Sequence, residues 1–247
     1  MFEMALVGFA LVSAVALLSP SGVAAQAEEA SQSYTVPSGG EPTTAGATGV
    51  EAGLRLGYGI PQGKPSETGR NMDEGISGQV PLWLDLGYRV IPPLFLGLYF
   101  QYGFGFVGDY VDASCDADGL DCSVNDIRFG AQVHYHVLFE GQVDPWIGAG
   151  FGYEWMTEGA SASGVSMDMT AHGFEFLNLQ LGLDFTPEDH FYLGPFFTLT
   201  LGQFSSVSAD CSGLPDCSAL ENELSGDLEE KSLHEWLLFG VRGGYKP

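Results

Sequence analysis

The sequence predicts an all-β chain, an eight-stranded antiparallel up-and-down transmembrane β-barrel over residues 50–247. Three observations lead there. Apolar residues alternate with small or polar ones through successive segments, a two-residue period that no helix keeps. The connections between segments run alternately short and long, and each segment has about the length a tilted strand needs to cross a bilayer. The face opposite the Leu/Phe face carries Gly, Gln, Asn and Thr instead of the Lys and Glu that a water-facing surface needs.

The first segment, Glu51–Ile60, sets Leu54, Leu56, Tyr58 and Ile60 against Glu51, Gly53, Arg55, Gly57 and Gly59. Gly78–Val90 sets Leu82, Leu84, Leu86 and Tyr88 against Gln79, Trp83, Asp85 and Arg89, and Leu94–Phe106 sets Leu96, Leu98, Phe100 and Tyr102 against Gly97, Tyr99 and Gln101. Asp126–Leu138 sets Ile127, Phe129, Val133 and Tyr135 against Arg128, Gln132, His134 and His136. The second half repeats the scheme in Trp146–Met156, Phe174–Phe185, Phe191–Gln203 and His234–Tyr245. In these segments Glu154, Asp184 and Arg242 join the polar face. Short connections (Ile91-Pro92-Pro93, Phe139–Asp144, Thr186–His190) follow the second, fourth and sixth segments, and long ones follow the other four.

Glycine on an outer surface would cost backbone entropy and gain no solubility. Inside a narrow barrel it makes room for large side chains, so the Leu/Phe face is expected to meet lipid. Four of the eight basic residues then lie in the lumen: Arg55, Arg89, Arg128 and Arg242. A buried charge needs a partner. Adjacent strands offer Asp85 to Arg55, Glu154 to Arg128, and Glu51 to Arg242, and Arg89 and Asp184 belong to the same expected luminal network. Its expected role is a polar core that plugs the barrel.

Eight Lys and Arg against 32 Asp and Glu give a net charge of −24, which excludes nucleic acid as a partner. Met4 to Leu18 has the length of a signal-peptide h-region, and a small-residue stretch follows it, so residues 1–27 are expected to be a cleaved signal. Residues 28–49 have no apolar periodicity and predict a flexible periplasmic tail.

An exported chain meets oxidising conditions, and the four Cys fall into two local pairs, Cys115 with Cys122 and Cys211 with Cys217. Four Cys allow three connectivities, of which local pairing is the one expected. Asp116, Asp118 and Asp121 look like the start of a calcium loop without its distal Glu, so weak Ca²⁺ or Mg²⁺ binding is the expected limit, and no other cofactor is implied. His172, Glu175, Ser232 and His234 lie near the outer rim, where a hydrolase could be built, although their spacing matches no motif.

Phrases such as GLRLGYGIP (53–61), LFLGLYFQYGFGF (94–106) and DPWIGAGFGYEW (144–155) resemble those of small bacterial outer-membrane barrels, and Val50 to Pro247 resembles the OmpA/OmpX-like family in strand count, loop asymmetry and charged lumen. The resemblance implies outer-membrane lipid as the surroundings, a monomeric state, and insertion by the barrel-assembly machinery, which reads a last strand such as Leu237, Phe239, Val241 and Tyr245. The expected role is non-catalytic, structural or in surface interaction through acidic, disulfide-stapled external loops, with a narrow OmpW-like channel or a rim-site lipid hydrolase as alternatives.

Overall fold

The computed structural model describes residues 47–67, 70–188 and 190–247. The expected signal (1–27) and nearly all of the expected tail (28–49) lie outside the described residues. The chain runs β1 (Gly49–Gly63), α1 (Met72–Gly75), β2 (Ile76–Ile91), β3 (Leu94–Val107), α2 (Asp109–Asp118), β4 (Asp121–His136), β5 (Val143–Ala162), β6 (Val165–Glu188), β7 (Phe191–Ser212), α3 (Cys217–Leu224), β8 (Gly226–Asp227) and β9 (His234–Tyr245). Eight of the nine strands form a ring, each antiparallel to the next. The ring closes through β9, which pairs with β7 on one side and β1 on the other. The two-residue β8 stands outside it, on the upper part of β7.

Burial is inverted relative to a water-soluble barrel. Leu98 and Phe151 are each 65% exposed, while Arg55 and Arg128 on the inward face are 0% exposed. The exposed apolar side chains form a belt whose middle carries Leu84, Leu86 and Leu98 together with Phe100, Phe129 and Phe151 in the same rows. Aromatic rings edge the belt at both ends: Tyr88, Tyr135 and Tyr245 beside the short turns, Tyr58, Phe104 and Phe106 at the far end. Aromatic rings at both edges of an apolar band suit a barrel in a bilayer, because Tyr and Trp favour the boundary between hydrocarbon and water.

The alternation breaks in β6. Its pairing with both neighbours slips after Glu175, so Phe176 is an extra residue, and Phe176 and Leu177 both face outward. The bulge lets Glu175 and Asn178 both point inward, which a regular strand would forbid.

One expectation from the sequence is corrected. The connection after the fifth segment is not a long loop: β5 and β6 continue as a ladder to Ala162↔Val165 and turn through Ser163 and Gly164. Both turn residues have positive φ (51° and 85°), which the tight turn of a two-residue hairpin requires. The upper parts of β4, β5, β6 and β7 thus make a tongue of sheet beyond the belt. Its polar, small-residue composition (Thr, Ser, Gly, Ala) hides its strand character from a search for apolar alternation.

Free sheet edges invite pairing with other chains, and the tongue covers both of its own. On the β4 side, the Cys115–Cys122 disulfide ties α2 to the strand. On the β7 side, Cys211–Cys217 ties down α3, whose Glu221 Oε1 and the following Ser225 Oγ accept hydrogen bonds from the backbone N–H groups of Cys211 and Ala209, both 2.9 Å. Replacing Cys211 and Cys217 with Ser is expected to leave the barrel's heat-modifiable gel mobility unchanged and to speed amide exchange at positions 209 and 211 about tenfold. Unchanged exchange would show that α3 holds the edge without its staple.

Candidate functional site: the luminal ion-pair ladder

Apart from the bulge in β6, alternate residues of the ring strands point inward and stack the luminal side chains in three tiers. The lowest tier lies at the short-turn end. Arg89 is bonded to Glu51 through Nε (2.9 Å) and Nη2 (2.7 Å) and donates to the Pro92 carbonyl at 2.8 Å. Its Nη2 also faces His136 Nε2 at 3.3 Å, while His136 Nδ1 lies 2.7 Å from Asp144. A carboxylate accepts and a guanidinium donates, so the arrangement sets His136 Nδ1 to donate to Asp144 and Nε2 to face the Arg89 donor. Arg242 holds both oxygens of Asp184 (2.9 and 2.7 Å) and stacks over Trp146, 3.9 Å from the ring centroid.

The middle tier centres on Arg55, paired with Asp85 at 2.7 and 3.0 Å and bonded across the lumen to Gln180 at 2.7 Å. Gln132 ties the group together by donating to Asp85 at 2.6 Å. The Arg55 guanidinium lies over Trp83, 4.7 Å from the ring centroid.

In the top tier a single guanidinium meets three carboxylates. Arg128 lies 2.9 Å from Asp126, 2.9 Å from Glu154 and 3.5 Å from Glu175. Donors shared among the carboxylates spread the surplus negative charge. Gln79 and Gln101 donate to Asp126, Tyr99 and Asn178 to Glu175, and Trp236 and His234 to Glu154. His234 stacks on Phe204, with ring centroids 4.2 Å apart.

Around the charges the lumen is packed with rings. Trp83, Trp146, Trp236, Phe95 and Phe204 are all buried. Glycines on the same face make the space: a Cβ at Gly182 would fall 2.6 Å from the Trp146 ring.

The pairs that sequence reasoning names stand as follows. Arg55 meets Asp85, and Arg128 meets Glu154, its direct register partner. Glu51 lies 2.7 Å from Arg89 but 4.0 Å from Arg242, whose close partner is Asp184 on β6, a strand away across β7. Reasoning from adjacent strands misses Asp184, Glu175 and Gln180 as partners because so narrow a lumen lets a long side chain reach past its neighbour. The paired cysteines are bonded as expected from their spacing.

Asp116 is exposed in the last turn of α2 and Asp121 is exposed at the head of β4, while the Asp118 side chain lies outside the described ones. The one trio of metal-ligand type found among the described residues is His136, Asp144 and Asp184, within 4.8 Å of one another. Its ligand atoms are already engaged: Arg242 holds both oxygens of Asp184, Arg89 faces His136 Nε2, and Asp144 meets His136 Nδ1 and the Leu138 N–H. The four rim residues do not assemble into a catalytic group. His172 points outward to Tyr153 and Ser206, Glu175 points inward to Tyr99, and His234 is buried against Glu154. Ser232 sits in the connection just before β9.

A ring of strands with an apolar belt outside and paired charges inside defines a small transmembrane β-barrel, of the kind held in bacterial outer membranes. No family model matches the chain, and no curated protein matches it. Among solved structures it is similar to Neisserial surface protein A (12% identity, TM-score 0.46, 79% of this chain and 95% of that one). It is also similar to a major outer membrane protein from Thermus thermophilus (13%, 0.44, 79% and 98%) and to OprG from Pseudomonas aeruginosa (14%, 0.43, 81% and 97%). The class assignment rests on the belt and the buried charges of the chain itself.

Proposed function

We propose that this barrel is a non-conducting, non-catalytic anchor of the outer membrane that displays acidic, disulfide-stapled loops and the tongue to the outside. The complete burial of Arg55 and Arg128 carries this reading, because arginines lining an aqueous path would be wetted. The ion pairs and stacked rings rigidify the ring from within, and the tongue and its helices are the parts left for interaction. Outer-membrane lipid is then the direct partner of the belt, and assembly machinery handles the chain only during insertion. The surplus carboxylates of the loops would hold Ca²⁺ or Mg²⁺ weakly.

Planar-bilayer recording tests the proposal. The refolded chain, shown to be folded by its gel mobility, is expected to give no single-channel steps. Reproducible steps that change when Arg55 is replaced would place an ion path through the lumen and overturn it.

A further inference from the structure

At the outer mouth, apart from the ladder, a pocket of about 300 Å³ opens between the β1–β2 connection, α2 and β5. Its floor is apolar: Met72 and Met156 are buried, and Val111 lies beside them. Glu158 stands in its wall, half-buried, with its Oε1 close against Gly75, 2.9 Å from where a Cβ there would sit. Its register partners on either side, Val124 and Met169, are uncharged, and among the described residues it has no ion pair or hydrogen bond. Burial alone holds its carboxyl above the usual carboxylate range. Glu74 adds a second carboxylate to the wall. Arg70 contributes no ion pair to Glu158, and its guanidinium instead lies over the Tyr110 ring, 3.3 Å from the centroid.

A carboxylate taken out of water without a partner is costly, and a cation brought to it removes that cost. Carboxylates in the wall above an apolar floor suit a cation that carries a short hydrocarbon chain. The net charge of −24 concentrates cations and repels anions at this mouth. We infer that the mouth pocket binds a small primary alkylammonium ion, its ammonium on Glu158 and its alkyl chain on the floor of Met72 and Met156.

The test is methyl-labelled methionine NMR of the full chain in lipid nanodiscs, with n-butylammonium as the probe and n-butanol and butyrate as controls. The expected result is saturable shifts of the Met72 and Met156 methyls, with Met167 and Met169 on the tongue unmoved. Glu158→Gln, checked for folding by heat-modifiable mobility, is expected to weaken binding about tenfold or more, the value of roughly 1.4 kcal/mol. Should that variant fail to fold, Glu158→Asp keeps the charge but withdraws it by one methylene, and should weaken binding by a smaller factor. Equal shifts at all four methionines, saturation by n-butanol at the same concentration, or full binding by a folded Glu158→Gln would each overturn the assignment.

Discussion

Replacing Arg128 with Met is expected to destabilise the barrel by about 3–5 kcal/mol, the cost of leaving buried charges without their counterion. Among the described residues, Arg128 is the only guanidinium within 4 Å of Asp126, Glu154 and Glu175, and all three carboxylates are buried. Their other donors are neutral side chains and His234, so removing Arg128 leaves the carboxylate charge of this cluster without a guanidinium in a medium of low dielectric. The measurement is the urea midpoint of folding in vesicles, read by gel mobility. Adding Asp126→Asn and Glu154→Gln to the Arg128→Met chain should recover much of the loss. Glu175→Gln alone should cost about 1 kcal/mol, since two carboxylates still face the arginine. An Arg128→Met barrel as stable as the parent would mean that the top tier does not hold charged carboxylates at all.

The second large effect is expected outside. Leu98 lies four residues beyond Leu94 at the short turn, which places it about 10 Å up a strand tilted as barrel strands are. That is near the middle of an apolar band roughly 25 Å tall. Leu98→Arg should therefore cost about 2–4 kcal/mol, and Leu94→Arg at the interface about 0–1 kcal/mol. A water-facing barrel would tolerate both, because Leu98 is already 65% exposed. Equal midpoints for the two variants in the same vesicles would remove lipid as the surroundings of this face.

The architecture is legible because a ring in lipid leaves two signals in the primary sequence: a two-residue period and the sorting of nearly all strand charges to one face. Arg55 and Leu54 declare their opposite sides by type alone. The bulge at Phe176 does not show, because Phe–Leu in sequence reads as a break in the pattern as easily as an inserted residue. The strand character of 157–173 is hidden for a different reason. Beyond the lipid neither face of the tongue has to be apolar, so periodicity carries no information there. The ion pairs divide along the same line. Arg55–Asp85 and Arg128–Glu154 join neighbouring strands and follow from the meander, whereas Arg242–Asp184 and Arg128–Glu175 depend on the closed ring and its width. The aromatic filling of the lumen is half visible, with Trp83 and Tyr99 on the polar face but Trp146, Phe204 and Trp236 assigned to neither.

The two disulfides span only 7 and 6 residues. Closing a ring of that size costs about 2 kcal/mol less chain entropy than linking cysteines some ninety residues apart, as a bond between the two loops would require. Correct pairing thus needs no finished barrel to guide it. Each staple can close on a chain still in transit, and neither ties one loop to the other. The covalent work and the membrane work are therefore independent in time: oxidation can precede insertion without committing the chain to a knot that the bilayer would then have to undo.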